Sequence, residues 1–192
     1  MSKYNLYIFL LLFSTTILSG CAAVAVTGVA AGASVAADKR TTGTVIEDQS
    51  IELKATEAIF SNKELRKMIH VNFTSFNTIV LVTGEAPTEE LRQTVIELVR
   101  NIQKVTSVHN EITIAGPSSF ISRSSDSVIT SKVKTKLVTD KQATALSTKV
   151  VTEKGVVYLM GLITREQADA ATELARKTGG VQKVVRLFQY ID

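Results

Sequence analysis

Few side chains in this 192-residue chain are of types and at spacings that could do chemistry: one cysteine, Cys21, and two histidines, His70 and His109. A metal centre needs several convergent ligands, and neither histidine has a second ligand at metal spacing, so each reads as a surface or structural residue. No nucleophile, base and orienting residue can be grouped, and no glycine-rich loop of the kind that cradles phosphate is present. The sequence therefore points away from an enzyme, with no catalytic residue, no metal and no cofactor expected. What remains is the thiol of Cys21. It stands directly after Leu18-Ser19-Gly20, which closes an apolar run from Leu6 broken only by Ser14, Thr15 and Thr16, with Lys3 ahead of it. That is the architecture of an export signal, and its core is too short to stay as a membrane span.

Leu18-Ser19-Gly20-Cys21 resembles the lipobox of bacterial lipoproteins. The resemblance implies removal of residues 1–20, a diacylglyceryl group on the Cys21 thiol and acylation of the new amino terminus. Ala22, where an aspartate would retain such a protein in the inner membrane, implies the outer membrane. Each buried CH₂ contributes about 0.8 kcal/mol, so several acyl chains on one residue make a stable anchor. The sequence pI of 9.2 would suit a nucleic-acid binder, but an exported, anchored chain meets anionic lipid or another envelope polymer instead. No nucleic-acid partner is expected.

Residues 22–37 are almost entirely Ala, Val, Gly, Ser and Thr and end at Asp38-Lys39-Arg40. Periodicity does not choose between a flexible leash and a segment lying along the membrane or the folded domains. As a leash, residues 21–46 could extend to about 85 Å at ~3.3 Å per residue. Beyond it an internal repeat begins near Asp48 and again near Asp126. Thr78 to Gly84 corresponds to Gly155 to Gly161, and Glu97-Leu98-Val99-Arg100 to Glu173-Leu174-Ala175-Arg176. The repeat divides the chain into a first domain at 47–116, a linker at 117–123 and a second domain at 124–192.

Each unit reads as helix, strand, strand, helix, strand. The first helices are expected over Gln49–Phe60 and Asp126–Thr139. Hairpins follow, with turns at Phe76-Asn77 and Glu153-Lys154-Gly155. The second helices begin at Thr88 and Thr164, the latter in a capping box with Gln167. The last strands run from Val108 and Val184. A strand, helix, strand order favours a right-handed parallel crossover, so the expected fold is α+β: two tandem αββαβ domains, each a mixed three-stranded sheet with two helices on one face. Gly84 and Gly161 close the second strand of each unit, where close backbone packing is the expected reason for glycine.

That pattern, with its paired glycines, resembles the BON domain, a lipid-associated module of bacterial envelope proteins, and two copies behind a lipobox resemble dual-BON outer-membrane lipoproteins. The resemblance implies a periplasm-facing protein that recognises anionic phospholipid, phosphatidylglycerol or cardiolipin, through its second domain. It also implies support of outer-membrane integrity and enrichment at division sites.

Charge separates the repeats. Residues 47–116 carry seven Lys and Arg against ten Asp and Glu, a net of −3, while residues 117–192 carry twelve against seven, a net of +5. On the helix from Asp126, Ile129, Val133 and Leu137 face inward, Lys132 and Lys136 lie together beside them, and Val128 projects outward. An apolar side chain beside paired lysines fits contact with a membrane; it fits equally a solvated helix face with one exposed valine. A non-enzymatic scaffold for envelope protein partners is the second reading, with the charge difference serving partner choice or packing of one unit on the other. Mass spectrometry of the mature amino terminus tests the anchor: a triacylated Cys21 is expected, and Cys21→Ala should leave the protein uncleaved or release it from the membrane fraction.

Overall fold

The computed structural model describes residues 38–116, 120–140 and 147–192, with the backbone alone for 120–122. Cys21 and the stretch to Ala37 lie outside the described residues. Asp38–Asp192 forms one compact unit.

Helix α1 spans Thr42–Ser61, starting well before the expected Gln49. Thr41 caps it, its hydroxyl accepting the Thr44 N–H at 3.1 Å, and Arg40 holds the entering chain by bridging Asp38 at 2.6 Å and Asp48 at 2.7 Å. The Arg40 guanidinium also lies 3.9 Å from the centre of the Phe76 ring. Residues 38–46, assigned from sequence to the leash, are thus held on the fold. Asn62 ends α1 and caps a short helix α2, Lys63–Met68, through its side-chain oxygen. The sequence reading did not anticipate α2, which buries Leu65 alone.

Strands β1, His70–Phe76, and β2, Ile79–Ala86, pair antiparallel with Val71 opposite Gly84, Phe73 opposite Val82 and Ser75 opposite Val80. The turn falls on Asn77-Thr78, one residue beyond the expected position, and both residues have positive φ, 49° and 66°. Helix α3, Glu89–Arg100, capped by Thr88, carries the chain over to β3, Ser107–Ile114, parallel to β2. The second repeat follows the same path. Its elements are α4, Phe120–Thr139; β4, Thr148–Glu153; β5, Val156–Ile163; α5, Arg165–Arg176; and β6, Lys183–Tyr190. The hairpin turn is Lys154-Gly155, again with positive φ at both residues, and α5 opens with the Thr164–Gln167 capping box. The sheets are ordered β1-β2-β3 and β4-β5-β6, each mixed, with the central strand antiparallel to one neighbour and parallel to the other.

One buried carboxylate per repeat ties the first helix to its hairpin. Asp48 Oδ2 accepts the Asn77 N–H and Oδ1 the Thr78 N–H, both at 2.8 Å. Asp126 does the same for Lys154 and Gly155, both at 2.8 Å. In a turn with two positive-φ residues these N–H groups have no strand partner, and a charged acceptor beneath them satisfies both.

Each repeat has its own core between sheet and helices. In the first, Ile51, Ala55 and Ile59 of α1 and Val95 and Val99 of α3 pack on Val80 and Val82. In the second, Ile129, Val133 and Leu137 of α4 and Ala171 and Ala175 of α5 pack on Val157 and Leu159. The repeats are not separate beyond that. The opposite faces of the two sheets meet in a third core, Phe76 and Leu81 against Tyr158 and Met160, rimmed by Ile79, Val151, Val156, Leu162, Val185 and Leu187. The sheet faces away from the helices are apolar because β2 and β5 are apolar at both parities, and such strands are stable only when covered on both sides.

Polar groups frame that third core. Lys149 reaches Glu52 at 2.7 Å and Lys154 reaches the fully buried Glu85 at 2.8 Å, in each case a base of the second repeat on an acid of the first. The Tyr158 hydroxyl donates to Glu111 at 3.2 Å. Beside Glu85, burial pushes the Glu153 carboxyl above its ordinary value, helped by the charges of Glu85 and Asp126 and only partly opposed by Lys154 and a hydrogen bond with Thr83.

Two outcomes follow from these contacts. Asp126→Ala leaves two inward N–H groups without an acceptor and should lower stability by about 3 kcal/mol in urea unfolding. Glu153 binds its proton more readily folded than unfolded, so its contribution is most favourable below the ordinary glutamate value of 4.5 and is lost as pH rises through the raised one. Glu153→Gln should therefore raise the melting temperature at neutral pH, with a gain that vanishes on acidification towards pH 4.5.

Candidate functional site

Helix α4 turns Asp126, Ile129, Val133 and Leu137 inward. The adjacent outward column is Ser127, Ser131, Thr135 and Thr139, each of whose hydroxyls donates to the carbonyl four residues earlier, at 2.9–3.2 Å. Their donors are thereby used within the helix. The next column is Val128, Lys132 and Lys136. Val128 is 52% exposed, and Lys132 is exposed with no hydrogen-bond or ion-pair partner among the described residues. Lys136 is half-buried and donates to the Lys177 carbonyl at 2.8 Å, closing the C-terminal end of α5. The two lysines expected as a free pair are thus one free ammonium and one that also serves as a helix C-cap.

The loop after α5 supplies the far wall. Thr178, Gly179 and Gly180 border two shallow concavities that share Val128, Lys132 and Gly179. Gly180 has φ +99°, and a Cβ there would stand 3.0 Å from Ile129 Cγ1, so glycine lets this loop close on α4. No carboxylate lines either concavity. An exposed valine beside an exposed, unpaired ammonium, with no carboxylate among the lining residues, leaves this surface able to take an anionic group next to a small apolar contact. The signal for this wall in the sequence is the Gly179-Gly180 doublet.

Gly84 and Gly161 sit apart from this surface, within β2 and β5, two residues short of the strand ends. Gly84 has φ +123° and a Cβ on it would meet the His70 carbonyl oxygen at 2.1 Å; on Gly161 it would meet the Ser147 carbonyl oxygen at 2.6 Å. Both glycines stand where the first hairpin strand crosses closely. His70 lies near Arg123, Nε2 to Nη1 3.4 Å. Among the described residues no group of His, Cys, Asp or Glu could hold a metal ion, and no helix is long and apolar enough to cross a membrane. The aspartates under the turns were visible only as repeat boundaries; their recurrence on otherwise apolar stripes was the signal of a structural role.

The BON-domain family model matches residues 47–116 and again residues 125–192. Outer membrane lipoprotein DolP of Haemophilus influenzae is 38% identical over 183 residues, covering 95% of each chain. The 21 kDa hemolysin of Actinobacillus pleuropneumoniae is 33% identical over 155 residues, 81% of this chain and 80% of its own, and osmotically-inducible protein Y of Escherichia coli is 25% identical over 161 residues, 82% of this chain and 80% of its own. Two matched αββαβ domains and a relative similar along nearly the whole chain place it together with them: the chain belongs to the BON-domain family, as a dual-domain outer-membrane lipoprotein.

Proposed function

We propose that this lipoprotein faces the periplasm from a lipidated Cys21 and binds anionic phospholipid, phosphatidylglycerol or cardiolipin, through α4 of its second BON domain, supporting outer-membrane integrity and acting at division sites. The observation that carries the reading is the α4 surface: an outward Val128 beside an unpaired Lys132, with Lys136 next to it and no acid on either side. Each cation near an anionic surface contributes about 1 kcal/mol, so the surface by itself is a weak binder. The lipid anchor makes weak binding sufficient. With residues from Asp38 onward held on the fold, the chain between Cys21 and the domains is at most about 60 Å long, which keeps α4 at high effective concentration near the membrane.

The charge difference between the repeats supports the same reading by subtraction. Lys149 and Lys154 are engaged on acids of the first repeat, so the excess positive charge left to solvent includes the α4 lysines. Flotation of the soluble body, residues 38–192, with vesicles containing phosphatidylglycerol or cardiolipin tests this. Both repeats belong in the assay, because either alone would expose the third core. Lys132→Glu with Lys136→Glu should reduce the floated fraction at least tenfold while leaving far-UV circular dichroism unchanged, and raising salt should weaken wild-type flotation. Equal flotation of wild type and double variant would turn the reading to the protein-interaction scaffold.

A further inference from the structure

The first repeat carries a groove of a different kind, between the C-terminal half of α1 and the outer edge of β1. It encloses about 350 Å³ and is lined by Ile59 and Phe60 of α1, Arg66 of α2 and residues 69–73. β1 lies at the edge of its sheet. Phe76 and Ile79 close the two-residue hairpin, so Phe76, Thr74, Asn72 and His70 direct their backbone groups to β2, and Ser75, Phe73 and Val71 direct theirs outward. Ser75 confirms the parity. Its N–H is taken by Glu52 at 2.8 Å and its carbonyl by Lys149 at 3.2 Å. The outward N–H and C=O groups of Val71 and Phe73 have no such side-chain cover among the described residues. A strand edge left open beside a helix is a ready template for a further strand.

The walls define what that strand should carry. Phe60 is 57% exposed, and the Arg66 guanidinium stands 5.7 Å from the centre of its ring. Lys63, Arg66 and Lys67 outnumber Glu64 on α2 and make it a cationic rim, and none of the three bases is in an ion pair among the described residues. In an acidic repeat, this short helix is the one place where bases cluster. We propose that the β1 edge and the α2 rim form a docking groove for an extended segment of a partner polypeptide. The segment adds to β1 at Val71 and Phe73, sets apolar side chains against Phe60 and Ile59, and presents an aspartate or glutamate to Arg66. Pairing is short because Glu52 and Lys149 close the edge at Ser75, so backbone bonds fix direction and the carboxylate on Arg66 supplies selectivity. The site lies in the first repeat and does not depend on the lipid reading of α4.

A library of random heptapeptides displayed internally, with no free terminus, selected on residues 38–192 is the probe. Enriched sequences should alternate β-branched residues around one acidic residue. A synthetic, end-blocked copy should slow amide exchange at Val71 and Phe73 by about tenfold or more at saturation. Arg66→Glu should weaken its binding at least tenfold, and Val71→Pro, which removes an outward N–H without touching the β1–β2 ladder, should weaken it similarly. No enrichment over the Arg66→Glu protein, enriched peptides indifferent to both substitutions, or binding that leaves the Val71 and Phe73 amides exchanging freely would each overturn the proposal.

Discussion

The structure depends first on two carboxylates placed under two tight turns. A two-residue hairpin with positive φ at both positions presents N–H groups that neither strand can satisfy, and an aliphatic residue below them would leave both buried and unpaired. Asp48 and Asp126 meet that need from the inner face of a helix, on stripes otherwise made of Ile, Ala, Val and Leu. The bond therefore fixes more than the turn. It sets where the helix lies along the hairpin, hence which residues of α1 and α4 face the sheet and which face out. Val128, two residues beyond Asp126 on α4, points to solvent because Asp126 points to the turn.

The second constraint is the two-sidedness of β2 and β5. One face of each sheet is covered by the two helices of its repeat, and alternate residues put Leu81, Tyr158 and Met160 on the other. An isolated αββαβ unit has nothing to cover that face. Two copies in one chain cover each other, and the polar groups at the border, Glu52, Glu85 and Glu111 on one side and Lys149, Lys154 and Tyr158 on the other, give the contact its sense. The opposite net charges of the repeats thus have a structural use inside the molecule before any partner is considered.

Most of the fold was legible because it rests on local signals. Hairpin register followed from period-two alternation, the crossover from element order, and the start of α5 from Thr164 and Gln167. What escaped depends on distant partners or on side chains doing unusual work. The early start of α1 needs Arg40 to be held by Asp48, on the inner face of that same helix, and by Phe76 at the end of β1. The third core was written in the runs Ile79-Val80-Leu81-Val82 and Val156-Val157-Tyr158-Leu159-Met160, apolar at both parities; the inward half of each run alone leaves open whether the repeats pack on each other. For the α4 surface, spacing placed Val128, Lys132 and Lys136 in one column, but the bond from Lys136 to the Lys177 carbonyl depends on how closely the Gly179-Gly180 loop approaches α4.

That last bond also explains why the α4 surface is shallow rather than a pocket. By capping α5, Lys136 draws the 178–180 loop against the helix and leaves Lys132 as the forward cation. A deeper site would need large side chains on the loop, yet Gly180 is required where a Cβ would crowd Ile129. A concavity this shallow encloses little of anything set against it, so any affinity there has to come from proximity rather than from enclosure. Under the proposed reading, a lipoprotein held by an anchor would need no more than such a weak contact to orient its domains, and its other faces would stay open to partners.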